Sequence, residues 1–281
     1  MSDRPEEDSL QARLKRALEV LHLTSLAEAL ADLLAWARKE RPSALALLDR
    51  ALAADVERTV TRAIDRRLQA SGLPDRPTLE AFDWNFQPGL DKALILQLAE
   101  LDFIRAHEDI IFTGTSGTGK SHLLKAIAVR ACSQGVRVLY RQFHVLLDDL
   151  YAGLADGTYE HKLARYARAD FLLIDDVGLG RVRRSADEPT AAHMLFALIG
   201  QRVGKRSTAV SSNIKLSAWG PYLGDASLSM AILDRIVEHA TRIEIEGPSY
   251  RDKQSQALNQ QRRASARKRE PAREREAHLD K

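Results

Sequence analysis

Between residues 10 and 70, apolar side chains recur at three- and four-residue steps. Leu14, Leu18, Leu21, Leu26, Leu30, Leu33 and Leu34 form one run. Leu45, Leu48, Leu52, Val56, Val60, Ile64 and Leu68 form a second, and Pro42-Ser43 lies between them. Such spacing places the apolar residues on one face of a helix. It predicts an N-terminal helical module over 1–70, which either docks a partner or covers the next domain. The stretch Ser71-Gly72-Leu73-Pro74-Asp75-Arg76-Pro77 reads as a linker over 71–80. Beyond it the pattern changes. Short apolar runs at 110–113, 136–140, 171–175, 208–211 and 241–246 alternate with helical segments. This alternation predicts an α/β domain over 81–253, with a parallel five-stranded sheet flanked by helices. From 254 to 281 large apolar side chains almost vanish, and a disordered tail is expected.

Composition narrows the picture. The single Cys, Cys132, excludes a disulfide scaffold and a cysteine zinc cage, and it reads as a small core residue. No apolar run approaches the roughly 20 residues that span a bilayer. The first eight residues are acidic and polar, unlike a secretory signal, so a cytoplasmic protein without a membrane segment is expected. The net charge of +3 hides an asymmetry: residues 252–281 carry nine Lys/Arg against five Asp/Glu, and the rest sums to −1. A basic tail either touches nucleic acid or is simply a solvated end.

The sharpest chemical signal is Gly114-Thr115-Ser116-Gly117-Thr118-Gly119-Lys120-Ser121, which fits G-x-x-x-x-G-K-[ST] at every fixed position. An apolar strand precedes it. A helix follows it, with Leu123, Leu124, Ile127, Ala128 and Ala131 on one side. Glycines let the backbone curl so that successive N–H groups face phosphate oxygens, and the helix N-terminus adds its positive end. The motif implies ATP with Mg²⁺: Lys120 for the β- and γ-phosphates, the Ser121 hydroxyl for the metal. Phe171-Leu172-Leu173-Ile174-Asp175-Asp176 supplies acids at the end of a buried strand. Asp175 suits the metal, and Asp176 suits a general base for the attacking water. Another strand ends in Ser211-Ser212-Asn213, where Asn213 serves either as a turn former or as a donor to the water or γ-phosphate.

The chain resembles the IstB-like ATP-binding proteins, helper ATPases encoded beside bacterial transposases and similar to DnaC-type helicase loaders within the AAA+ ATPases. The resemblance spans about residues 20–253. It rests on Leu21-His22-Leu23-Thr24-Ser25-Leu26-Ala27, Phe82-Asp83-Trp84, Gln87-Pro88-Gly89-Leu90-Asp91, Gly119-Lys120-Ser121-His122-Leu123, Leu173-Ile174-Asp175-Asp176, Ser211-Ser212-Asn213, Trp219-Gly220, Ile232-Leu233-Asp234-Arg235, His239-Ala240 and Ser249-Tyr250-Arg251. It implies that Asn213 is the sensor-1 residue, Arg235 an arginine finger acting on a neighbouring subunit, and Arg251 a sensor-2 arginine on the same subunit's ATP. His122 belongs to the nucleotide-binding motif rather than to a metal site.

The resemblance further implies a homo-oligomer that assembles with ATP on double-stranded DNA, without sequence specificity, and recruits and stimulates the element's transposase. A replicative helicase loader and a nearly inactive ATP-binding scaffold are the alternatives. Two features depart from the family pattern: a basic, glycine-rich stretch over 178–187 and a long tail beyond Lys253. Many ATPases of this type carry Glu where this chain has Asp176, which is shorter by one methylene. Within that stretch Arg181, Arg183 and Arg184 form either a DNA-contacting patch or a solvated loop. Trp84 and Trp219 are expected to pack rather than stack on bases.

Overall fold

The computed structural model describes residues 4–182, 188–253 and 255. Arg183 and Arg184, and the tail but for 255, lie outside the described residues. The chain divides at Arg66/Arg67 into two compact units, a boundary that falls inside a long helix.

The first unit is helical: Arg4–Val20, Thr24–Glu40 and the start of Ala44–Ser71. The first apolar run is therefore two helices, not one. His22 adopts φ +60, the His22 N–H reaches the Glu19 carbonyl, and the Leu23 N–H reaches back to that of Leu18. This is a left-handed helix stop. Leucine spacing carries on across it, which is why periodicity alone does not show it. The helix Thr24–Glu40 has no side-chain cap of its own. Instead Asp55 accepts the N–H groups of Ser25 (3.1 Å) and Leu26 (2.7 Å) and pairs with Arg58 at 2.8 Å. Leu18, Ala27 and Leu30 form its small buried cluster.

The second unit holds a parallel sheet. Its strands are β1 (Asp109–Gly114), β2 (Val138–Gln142), β3 (Phe171–Val177), β4 (Ser207–Ser212) and β5 (Ala240–Ile245), in the order β2-β3-β4-β1-β5. All five expected strands are present. β2 begins at 138 rather than 136, because Gly135 turns at φ +93 and the Val136 N–H closes the preceding helix on the Ala131 carbonyl. β1, β3 and β4 are almost wholly buried, as strands covered by helices on both faces must be. Cys132 and Trp219 are buried in this unit, and the Trp219 indole N–H donates to Ser212 Oγ at 3.2 Å. The topology brings the C-terminal ends of β3, β4 and β1 side by side, where an open α/β sheet binds its ligands. No described helix is long and apolar enough to cross a membrane.

Candidate nucleotide-binding site

The loop 114–119 leaves β1 and runs into the helix Lys120–Ser133. Two of its glycines are required by close approach. At Gly114 (φ +141) a Cβ would meet the Ile245 carbonyl oxygen at 2.2 Å, and at Gly119 (φ +100) it would strike the Phe82 ring at 2.6 Å. The loop is braced from outside. Gln87 is buried, and its amide donates to the carbonyls of Thr118 (3.2 Å) and Pro248 (3.3 Å). The Tyr250 N–H donates to the Gly117 carbonyl at 2.9 Å. Thr115 is held through its carbonyl, which accepts from Thr118 Oγ1 at 2.9 Å. His122 faces the Thr78 carbonyl at 3.1 Å and packs beside Phe82. Ser116 lies within the same turn.

Lys120 is almost fully buried, and its ammonium donates to the carbonyls of Gly114 (2.8 Å) and Thr115 (2.7 Å). Burial lowers its pKa from the ordinary lysine value. Asp176 and Asp175 oppose that shift, and the positive charge of Arg251 adds to it. The two acids and Arg251 thus lie within electrostatic reach of the same ammonium.

The Ser121 hydroxyl donates to Asp175 Oδ1 at 2.8 Å. That oxygen also accepts the Ser211 hydroxyl and, at 3.2 Å, the Asp176 N–H. Asp175 Oδ2 accepts the Tyr140 hydroxyl at 2.9 Å. Burial, then the neighbouring Asp175 charge, raises the Tyr140 pKa, so the phenol keeps the proton it donates. Asp176 sits where the β3–β4 register shifts, at φ +63, a conformation that costs a non-glycine residue about 1 kcal/mol. Its N–H donates to Ser211 Oγ at 2.9 Å, and its Oδ1 accepts the Asn213 amide at 3.1 Å. Ser121, Asp175, Ser211, Asp176 and Asn213 thus form one hydrogen-bonded set. A serine that donates its proton to a carboxylate keeps oxygen lone pairs for a cation, and an all-oxygen donor set of this kind fits Mg²⁺. Among the described residues no three His, Cys, Asp or Glu side chains gather as a metal cluster.

Arg251 lies on the helical turn over 250–253, exposed beside the loop. Arg235 is apart from this set. It is exposed on the helix Ala226–Val237, with its guanidinium 4.3 Å over the Phe196 ring, and among the described residues it pairs with no carboxylate. Arg181 is exposed. Four residues of the site had no role assigned from sequence: Tyr140, Ser211, Gln87 and Phe82. The available signal was modest, a hydroxyl or amide near the ends of segments that the topology gathers around the loop.

A parallel sheet whose β1 opens into a glycine loop, with a carboxylate near the end of β3 bonded to the loop serine, defines a P-loop nucleotide-binding domain. The chain belongs to the family of IstB-like ATP binding proteins, which matches residues 16–258. It is 31% identical over 242 residues to the product of insertion sequence IS5376 of Geobacillus stearothermophilus, named for ATP binding, covering 86% of this chain and 94% of that one. It is 36% identical over 193 residues to the counterpart in IS21 of Pseudomonas aeruginosa, covering 69% of this chain and 71% of the other. Among solved structures it is similar to DnaI at 22% identity and a TM-score of 0.47, over 62% of this chain and 90% of that chain.

Proposed function

We propose that this chain is the ATP-driven helper of an insertion sequence. It binds Mg²⁺·ATP at the loop 114–121, hydrolyses it, assembles with copies of itself on double-stranded DNA and there recruits and stimulates the element's transposase. The observation that carries the nucleotide part is the hydrogen-bonded set joining Ser121, Asp175, Asp176 and Asn213 beside Lys120. The insertion-sequence names of the relatives support the biological setting.

Each residue then has a task. Backbone N–H groups of Gly114 to Gly119 cradle the phosphates. Lys120 turns from its two carbonyls to the β- and γ-phosphate oxygens, whose charge favours the protonated ammonium. Ser121 and Asp175 would hold Mg²⁺, which would offset the negative charge developing on the phosphates. Asp176 accepts a proton from the attacking water, and Asn213 fixes both that carboxylate and the water. Arg251 completes the phosphate contacts in its own subunit. Arg235, free of any described carboxylate, supplies its donor fork to a neighbour's γ-phosphate, so turnover depends on assembly. DNA contact is to phosphates and salt-sensitive, with Arg181 one contributor.

The test joins three measurements: ATP affinity, phosphate release with and without duplex DNA, and co-sedimentation with DNA in each nucleotide state. Lys120→Ala should weaken ATP binding by about 100-fold, the equivalent of a charged hydrogen-bond contribution of about 3 kcal/mol. DNA should raise the turnover of the unsubstituted chain. DNA binding indifferent to nucleotide would overturn the assembly part. ATP affinity unchanged in Lys120→Ala would overturn the site itself.

A further inference from the structure

The Asp175 carboxylate is held unevenly. Oδ1 has three donors, Ser121, Ser211 and the Asp176 N–H, all from the loop helix, β4 and β3. Oδ2 has one among the described residues, the Tyr140 hydroxyl from β2 on the other side. The register explains the reach. Gln142 on β2 pairs with Asp175, so Tyr140, two residues earlier, lies on the same face of the sheet. A diagonal neighbour of this kind is within range of an aromatic side chain. The phenol is buried, and phenylalanine would fill the same space without a polar atom to satisfy. Burying a hydroxyl is unfavourable unless it is bonded, and here its described partner is the carboxylate.

We propose that Tyr140 is a positioning residue for the magnesium carboxylate: by holding Oδ2, it fixes the rotation of Asp175 and so the direction in which Oδ1 and the Ser121 oxygen face the metal. This rests on the reading of the loop as a Mg²⁺·ATP site. Donors to a ligating carboxylate set its orientation, and their loss typically weakens metal binding by ten- to a hundredfold. Without the phenol, the torsion of Asp175 is restrained from one side only, by the donors on Oδ1, and its orientation loosens, while Lys120 and the loop N–H groups still hold the phosphates. The consequence is selective. Affinity for ATP without metal is kept, and the gain that Mg²⁺ adds is reduced.

The experiment is calorimetric titration of the full chain with ATP, once with excess Mg²⁺ and once with a chelator, for the unsubstituted chain, Tyr140→Phe, Asp175→Asn and the double substitution. Tyr140→Phe is expected to bind ATP in chelator within twofold of the unsubstituted chain and to lose about tenfold of the Mg²⁺-dependent gain. In the Asp175→Asn background it should remove nothing more. A gain undiminished in Tyr140→Phe overturns the inference while leaving the nucleotide site standing. Equal losses with and without Mg²⁺ also overturn it, since they mark a general packing effect. An unsubstituted chain without any Mg²⁺-dependent gain overturns the metal reading itself. A second measurement keeps the packing intact: 3-fluorotyrosine placed at 140 should shift its fluorine resonance when Mg²⁺ joins the ATP-bound protein. It should not shift in Asp175→Asn, and silence in both would reject the contact.

Discussion

Each unit buries an aspartate, and the two are held differently. Asp55, in the helical unit, is 2% exposed; Asp109, in the sheet unit, is 4% exposed. Burial pushes both carboxyls upward. At Asp55 the N–H groups of Leu26 and Ser25 and the Arg58 charge outweigh it, and the pKa is held below the ordinary value. At Asp109 the carboxylate accepts the Thr208 N–H at 2.6 Å, while the nearby Arg202 guanidinium is committed to the carbonyls of Tyr166, Ala167, Ala169 and Ser207. Burial prevails there, and the pKa rises to about 6. Burial alone does not set the shift; the hydrogen bonds and charges facing the carboxyl decide whether burial is outweighed. Asp175 stands at the edge of the sheet where the proposed chemistry occurs, whereas Asp109 stands at the opposite end of its strand.

The largest effect that sharpens this contrast is expected from Gly114→Ala. The new methyl meets the Ile245 carbonyl oxygen at 2.2 Å, in a backbone conformation that side chains disfavour. Clash and strain together should cost about 4 kcal/mol. Urea unfolding of the full chain should show the loss in the transition of the sheet unit. A loss below about 1 kcal/mol would mean that β1 and β5 separate easily at the loop.

Next comes pH. Asp109 binds its proton more tightly folded than unfolded, with a pKa of about 6 against an ordinary 3.8. Between those values the folded state holds more protons, so stability falls as pH rises from about 4 to about 6. The full difference is about 3 kcal/mol. Asp109→Asn should flatten this segment of the stability curve. Asp55 has the opposite sign: its contribution is present above the ordinary carboxylate value and is lost as pH falls below it. The two windows do not overlap, so unfolding measured at pH 3, 4.5 and 7 separates them.

Much of this was legible in the sequence, for reasons that differ along the chain. β1 and β3, which carries Asp175-Asp176 near its end, are buried on both faces, and continuous apolar runs report that directly. The loop was legible because its glycines and Lys120-Ser121 occupy fixed positions. Three features were not. The stop at His22 depends on one left-handed residue, and leucine spacing runs on across it. The start of β2 depends on how the preceding helix closes over Gly135. The bond from Tyr140 to Asp175 depends on strand order and register, since β2 lies beside β3 only in the folded sheet. A sequence lists the donors; topology decides which carboxylate they reach.

The smallest expected effect tests whether leucine periodicity marks a core in the helical unit. Leu30 is 7% exposed and packs with Leu18 and Ala27, while Leu45, in the second periodic run, is 79% exposed. Leu30→Ala should cost about 2 kcal/mol, at the low end for a buried leucine because the cluster is small. Leu45→Ala should change stability by less than about 0.5 kcal/mol. Both residues satisfy the same spacing rule, so the ratio of the two effects measures what periodicity leaves out. Unfolding of the full chain at one pH, followed by helical circular dichroism, reads both. Comparable losses at the two positions would show that Leu45 is covered in solution, and the helical unit would then have a larger core than Leu18, Ala27 and Leu30 define.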